Sequence, residues 1–234
     1  MPPKAKSTLI IIPVLGRPHR ARLVFDSIED NTPEPHRVLF VANESDTDEI
    51  EAVRAIPGAG LMVMEGRHRP VDWERQPGDW ARKINRAYRE STEPLLFLGA
   101  DDLLFHPEWL FHARKELRRG IGVVGTNDLG SPRVMAGLHA THVLVTRAYA
   151  DRYGTVDGPG RVLTEIYPHE FVDDELVGTA KMRGAWAFAF NSHVEHLHPS
   201  WGKASRNDPI YQLQRQRMKV GRYLYDQRKG LWGE

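Results

Sequence analysis

The chain has 234 residues, 41% of them hydrophobic and 27% charged, enough for one large α/β domain or two small ones with a substantial core. Its 32 basic and 31 acidic side chains nearly cancel, which excludes a global field that would draw it to nucleic acid or a membrane surface. There is no cysteine, so disulfides and thiolate chemistry are excluded, in keeping with a reducing cytoplasm.

The first residues, MPPKAKS, carry a few positive charges. The apolar segment after them, Leu9 to Leu15, is short and broken by Pro13, so it reads as a strand and not as a signal peptide or membrane span. A soluble, intracellular protein is expected, with no stable membrane insertion. Residues 8–15 (TLIIIPVL) predict a central strand, and Gly16-Arg17-Pro18 the turn after it. Ala21, Val24, Phe25 and Ile28 recur at helical spacing over residues 19–30, and Asn31-Thr32-Pro33 stops that helix. Residues 37–42 form a second strand, followed by a polar loop from Asn43 to Asp48, a short helix at 48–55 and a third strand near 61–64. The β-α-β-α-β order implies right-handed crossovers and parallel pairing.

Residues 65–78 (EGRHRPVDWERQPG) read as a polar loop, before a helix at 79–90, a strand at 95–98 and a helix at 107–119. Strands at 121–125 and 141–146 flank the irregular stretch TNDLGSPRVMAGLHA. A helix around 146–153, another starting near Asp173, and a strand over 184–197 follow. The tail, 208–229, is a basic amphipathic helix; a solvated face explains most of the charge of its Arg215, Arg217, Lys219, Arg222, Arg228 and Lys229, and contact with an anionic membrane or nucleic acid is the sharper alternative. No repeat or long linker divides the chain, so one compact unit is expected.

The run Leu95 to Leu98 is a strand buried on both faces, and it ends in Gly99-Ala100-Asp101-Asp102. Ligands of open α/β sheets bind where such strands end. Two adjacent carboxylates there repel each other, which a hard divalent cation offsets. The residues alone leave a second reading, in which one Asp caps the helix near Pro107 and the other is solvated. Pro13 and Arg17 after the first strand, and Asn43, Glu44 and Asp46 after the second, stand at neighbouring strand ends. They could read a base or ribose, or the acidic loop could cap the helix at 48–55. Asp79 and Lys83 share a helix face, either as a surface pair worth roughly 0.3 kcal/mol or with Lys83 turned to a phosphate. Asp173 and Asp174 begin a helix in FVDDELVGTA, where acids also favour the dipole. In His193-x-x-His196-x-His198 the last two share one strand face. A zinc site there lacks further clear ligands, and His193 reads as packed or surface. Trp73 and Trp80 could stack on a sugar, whereas Trp109 and Trp186 fit a core.

Taken together, the Pro-x-x-x-Arg-Pro strand end, the acidic loop, the helix with Asn85 and the FLGADD strand end resemble a GT-A-fold glycosyltransferase of the family 2 type. The resemblance implies an α/β fold with a Rossmann-like mixed central sheet flanked by helices. It also implies a single GT-A domain over 1–234: a nucleotide-sugar half at about 8–105, an acceptor-side half at about 106–205, and a C-terminal basic helix at 206–234. In that family the fourth strand reads like FLDADD and its Asp-x-Asp element holds a metal under the donor diphosphate; the first Asp falls on Gly99 here. The resemblance therefore implies Mn²⁺ or Mg²⁺ held by Asp101, Asp102 and His198, with His196 as second choice. It implies a donor, a UDP-sugar by expectation, bound by Pro13, Arg17, Asn43, Glu44, Asp46, Asp79, Lys83, Asp101 and Lys203. Lys203, after Trp201-Gly202, would sit on a mobile loop closing over the diphosphate, with Arg206 as alternative. Asp173, with Asp174 as alternative, matches the base of an inverting transfer to an acceptor hydroxyl; Val172 replaces the family's Glu, and Glu175 is structural. GADD and the GTNDLG stretch look similar to small phage-encoded glycosyltransferases, which would put the protein in a host cytoplasm. The acceptor could be a protein, a glycan or a modified nucleobase, and the balanced charge argues against DNA. One rival is a nucleotidyltransferase, for which GRPHR is a poor phosphate loop. The other, a non-catalytic nucleotide- or glycan-binding module, predicts no donor hydrolysis.

Overall fold

Every side chain of the first strand, β1 (Thr8–Pro13), is buried, because helices cover both faces of the sheet it centres. In the computed structural model, which describes residues 7–66, 74 and 77–233 apart from the Arg215 side chain, Leu9 and Ile11 pack to one side with Leu96, Leu98 and Ile84. Ile10 and Ile12 pack to the other with Val24, Phe25, Ile28 and Phe97. Each such isoleucine contributes about 1.5–3 kcal/mol by leaving water. An apolar run without alternation is thus what a doubly covered strand requires.

The chain continues through α1 (Pro18–Asn31), β2 (His36–Asn43), α2 (Thr47–Arg54), β3 (Gly60–Met64), α3 (Asp79–Arg89) and β4 (Leu95–Leu98). These four strands are parallel, with Ile11 of β1 opposite both Leu39 and Leu98. Then come β5 (Leu103–Phe105), α4 (Trp109–Lys115), β6 (Val123–Asn127), α5 (Pro132–Met135), β7 (Val143–Thr146), α6 (Arg147–Arg152), α7 (Val172–Met182) and β8 (Trp186–His196). A 3-10 turn at Pro199–Trp201, α8 (Pro209–Gln212), α9 (Gln214–Arg228) and a second 3-10 turn at Lys229–Trp232 complete it. The sheet has eight strands in the order β3-β2-β1-β4-β7-β6-β8-β5. It turns antiparallel at β4–β7, β7–β6 and β8–β5 and is parallel again at β6–β8.

Three features differ from the sequence reading. Strand β5 and helix α5 lie where no element was expected, because three or four residues carry no measurable periodicity. The tail is two helices that part at Leu213, and Asp208 caps the first by accepting the Ile210 N–H at 2.9 Å ahead of Pro209. Nor is it merely a solvated face. Tyr225 and Trp232 pack in the core, Arg217 is buried, and Arg228 donates to Glu175 from Nε and Nη2 at 2.8 and 3.0 Å. That bond, with the Tyr167 hydroxyl at 3.0 Å, makes the buried Glu175 a packing residue.

Candidate active site

The carboxyl ends of β1 and β4 open onto a cavity of about 300 Å³, closed on its far side by the start of α7 and by α8 and α9. Arg17, in the turn after β1, reaches across it. Its Nε donates to Asp101 Oδ2 at 2.8 Å, Nη2 donates to Asp101 Oδ1, and Nη1 lies 3.4 Å from Asp102 Oδ2. This bidentate fork commits both oxygens of Asp101. Its backbone N–H donates to Glu49 Oε1 at 2.6 Å, and burial pushes the Glu49 carboxyl up to about 7. Gly99, at the position of the family's first Asp, lies tight against β1: a Cβ there would sit 2.7 Å from Ile12 Cδ1 and 3.0 Å from the Ile11 carbonyl oxygen. The close approach of two strands explains glycine at that position.

Asp102 is held differently. Its Oδ2 accepts the Tyr211 hydroxyl at 2.6 Å and lies 3.5 Å from His196 Nε2, while its Oδ1 is buried with no partner among the described residues. Against the cost of burial, His196, Arg17 and Tyr211 hold this carboxyl well below the usual range, and Asp102 raises His196 in turn. Beside them His142 opens β7. Its Nδ1 meets the Leu98 carbonyl at 3.0 Å, so Nδ1 carries the proton, and the buried Nε2 has no partner among the described residues. Burial, reinforced by His196, pushes His142 down to about 4, so it is a neutral imidazole at ordinary pH. One donor atom each from Asp102, His142 and His196 lie within 4.8 Å of one another.

Across the cavity, Asp173 and Asp174 stand in the first turn of α7, whose preceding residue, Phe171, adopts a left-handed φ of 74°. Asp173 Oδ2 is 3.1 Å from His139 Nε2, and Asp174 Oδ1 accepts from Arg133 Nη1 at 2.6 Å. Burial opposes the Asp173 charge, but His139 and the backbone N–H groups of Asp173 and Asp174 hold the carboxyl below its ordinary value. Burial and the Asp173 charge raise Asp174. Both carboxylates line the cavity.

Pro13, Arg17, Asp79, Asp101, Asp102, Asp173, Asp174, His196 and His198 thus meet at one cavity, joined by Trp80, whose indole N–H donates to the Gly99 carbonyl at 2.8 Å. Other expected donor ligands are held elsewhere. Asn43 donates to Asp79 at 3.0 Å, Asp46 accepts the Gly16 N–H at 2.7 Å, and Glu44 accepts the Gly66 N–H at 3.1 Å. The first thereby braces a cavity residue, and the other two tie strand-end loops together. Lys83 is fully buried and donates to the Val14 carbonyl at 2.6 Å and to Asp79 at 2.8 Å, so the expected pair with Asp79 forms, in the interior and not on the surface. Lys203 donates to the Leu129 carbonyl at 2.8 Å and pairs with Glu195 at 2.7 Å, outside the cavity lining. His198 spends Nδ1 on the Ser200 N–H at 3.1 Å. Trp73 lies outside the described residues, Trp109 is buried, and Trp186 packs against the core. The sequence reading passed over His142, His139, Glu49 and Tyr211. Only Tyr211 carried a signal, the Asp-Pro break two residues before it.

No protein-family model matches the chain, and no curated protein matches it. Solved structures do. A mannosyltransferase from Pyrobaculum calidifontis, in complex with GDP-Man and Mn²⁺, is similar with a TM-score of 0.66 and 17% identity over 93% of this chain, which spans 61% of that chain's length. Glucosyl-3-phosphoglycerate synthase from Mycobacterium tuberculosis, with Mn²⁺, UDP and glucosyl-3-phosphoglycerate, is similar with a TM-score of 0.60 and 16% identity, covering 94% of this chain and 79% of that one. The same synthase with Mg²⁺ and UDP has a TM-score of 0.55 at 16% identity, with the same coverage. These likenesses show the fold: the mixed eight-stranded sheet and its flanking helices are GT-A-like.

Proposed function

We propose that this protein is a glycosyltransferase that moves a sugar from a nucleotide diphosphate sugar, with UDP as the expected nucleotide, to an acceptor hydroxyl, assisted by Mn²⁺ or Mg²⁺. The observation that carries the reading is the meeting in one cavity of the Asp101–Asp102 rim and the Asp173–Asp174 pair, at the edge where α/β sheets bind ligands. The structural neighbours, bound to GDP-Man or UDP with Mn²⁺ or Mg²⁺, support it. In this reading residues 8–105 serve the donor and 106–205 the acceptor.

The residues fit a cation. Asp102 Oδ1 is a buried carboxylate oxygen without a partner on the cavity wall, a cost of about 1–3 kcal/mol that an ion would remove. Asp102 is the carboxylate we assign to it, because Arg17 occupies both oxygens of Asp101. Such an ion offsets negative charge on the departing diphosphate. Arg17 adds a fixed positive charge at the same rim, and Pro13, Asp79 and Trp80 line the space for the nucleoside. Glu44, Asp46, Lys83 and Lys203 belong to the frame, since their charged groups are spent within the protein. Asp173 accepts the acceptor proton as the hydroxyl oxygen bonds to the anomeric carbon opposite the breaking bond to the nucleoside diphosphate, which departs with the bonding pair, and this single displacement gives inversion. The likeness of GADD and GTNDLG to small phage-encoded enzymes adds a host cytoplasm to the proposal. No helix among the described residues is long and apolar enough to cross a membrane.

The test is a panel of UDP- and GDP-sugars incubated with the full chain, with and without Mn²⁺, reading nucleotide release and thermal stabilisation. Metal-dependent release that Asp173→Asn abolishes while nucleotide stabilisation persists is the expected result. Stabilisation without release in the wild type would leave a binding module, and pyrophosphate release from a nucleoside triphosphate and a sugar phosphate would make it a nucleotidyltransferase.

A further inference from the structure

We propose that His142 and His196 join Asp102 as a two-imidazole, one-carboxylate ligand set for a single divalent cation, and that this set favours Mn²⁺, Co²⁺ or Zn²⁺ over Mg²⁺. The proposal deepens the sugar-transfer reading, on which the purpose of the ion rests; the presence of the ion rests on these side chains alone.

Three observations carry it. The first is the His142 ring. Antiparallel pairing of β7 with β4 sets Leu98 opposite Val143 and brings the preceding His142 to the strand end that precedes the two aspartates. Donation of its Nδ1–H to the Leu98 carbonyl fixes the tautomer and directs a lone pair from Nε2, with the residue 5% exposed and that nitrogen without a partner. This is how proteins orient a metal-binding imidazole, through a backbone carbonyl on its other nitrogen. The second is the Asp102 carboxylate, also 5% exposed. Tyr211, Arg17 and His196 all crowd Oδ2, which turns the unpartnered Oδ1 free for a ligand. Each unsatisfied, buried acceptor is a rarity that calls for something to satisfy it, and here two belong to one cluster. The third is the convergence of Asp102, His142 and His196 to within 4.8 Å, near enough for one ion after a small side-chain adjustment. Asp101, closed by Arg17, and His198, engaged by Ser200, lie outside the trio.

Ligand chemistry then sets the preference. Mg²⁺ takes oxygen almost exclusively, whereas imidazole nitrogen suits zinc and the later first-row ions. With glycine at the position of the family's first Asp and Arg17 on both oxygens of Asp101, Asp102 is the one carboxylate of this strand end left to an ion, and two imidazoles stand near it.

The experiment titrates the metal-free full chain with Co²⁺, Mn²⁺ and Mg²⁺ by calorimetry, following Co²⁺ also by its visible absorption, and counts imidazole nitrogens around bound Mn²⁺ by electron spin echo. One Co²⁺ per chain, two coupled nitrogens, and Mg²⁺ at least about 100-fold weaker are expected. His142→Gln should weaken Co²⁺ at least about tenfold and remove one nitrogen, whereas His193→Gln, beside His106 and away from the cavity, should change neither. Mg²⁺ binding as tight as Co²⁺, a folded His142→Gln protein that binds like the wild type, or no coupled nitrogen in the wild type would overturn the proposal; the nitrogen count decides even if the variant fails to fold. Co²⁺ binding without nucleotide-sugar turnover would keep the ligand set and discard the sugar transfer. Turnover with Mg²⁺ that His142→Gln leaves untouched would do the reverse.

Discussion

On the β1–β4 side of the cavity, charged groups are spent on one another. Arg17 closes on Asp101, Asn43 donates to Asp79, and Lys83 joins Asp79 to the Val14 carbonyl; Glu49 Oε2 is the exception. On the β7–β8 and α7 side, His142 Nε2, His139 Nδ1 and, where the two sides meet, Asp102 Oδ1 are buried without partners. A satisfied polar network rigidifies, and an unsatisfied one is costly until a ligand arrives. The difference teaches that charge at a strand end is not by itself a binding group. In the proposed function the first side is the frame, and the second is the side whose valences serve the chemistry.

Variants should separate the two. Asp173→Asn, on the reactive side, is expected to lower turnover by about 10²–10⁴-fold, the range for a lost general base. Its melting temperature should move little above neutral pH, where His139 sheds its charge and the variant gives up only an acid at a helix start worth about 0.3–1 kcal/mol. Steady-state kinetics beside a melting curve checks both halves of the statement. Arg17→Ala, on the frame side, should cost about 3–5 kcal/mol of stability by leaving the buried Asp101 carboxylate without its paired cation. Chemical denaturation reads this directly, and an Arg17→Ala protein as stable as the wild type would erase the distinction. Lys83→Met should cost less, about 1–3 kcal/mol, because Asp79 keeps Asn43. The same variant should hold kcat/KM within a few-fold of the wild type; a large rise in donor KM would return Lys83 to the phosphates.

The frame was legible in the sequence and the reactive side only in part, for reasons that lie in the strands. β4, residues 9–12 of β1 and residues 38–42 of β2 are unbroken apolar runs because both faces are covered, so composition alone marks them and their ends, and with them Arg17 and Asp101-Asp102. Asp173 and Asp174 were visible as acids opening a periodic segment. His142 was not. It precedes a four-residue strand, and its value depends on that strand's pairing antiparallel with β4, which local sequence does not encode. The same holds for Lys83, whose helical spacing suggested the surface while the α3 packing buried it against the end of β1. Tyr211 and Arg217 sit in a tail whose basic composition masked the buried contacts that carry it over the cavity.

The smallest expected effect concerns the His139–Asp173 pair, which links the reactive side to the stability of the fold. Burial works against the His139 charge, but Asp173 and Asp174 outweigh it and raise the imidazole above 6.5, with Arg133 opposing. A raised folded value contributes stability that is fully present below 6.5 and lost as pH climbs through that value. Asp173 is lowered below 3.8, so its share is present above 3.8 and lost as pH falls through the folded value. The pair therefore stabilises most between about pH 4 and 6.5. His139→Gln keeps a neutral donor in place of the cation, so the difference in denaturation midpoint between wild type and variant should be largest near pH 5.5 and shrink toward pH 9. A difference that stays flat across this range would mean that the ring is neutral beside Asp173. The carboxylate would then lack its charged partner, and its depressed value would fall to the α7 N–H groups alone.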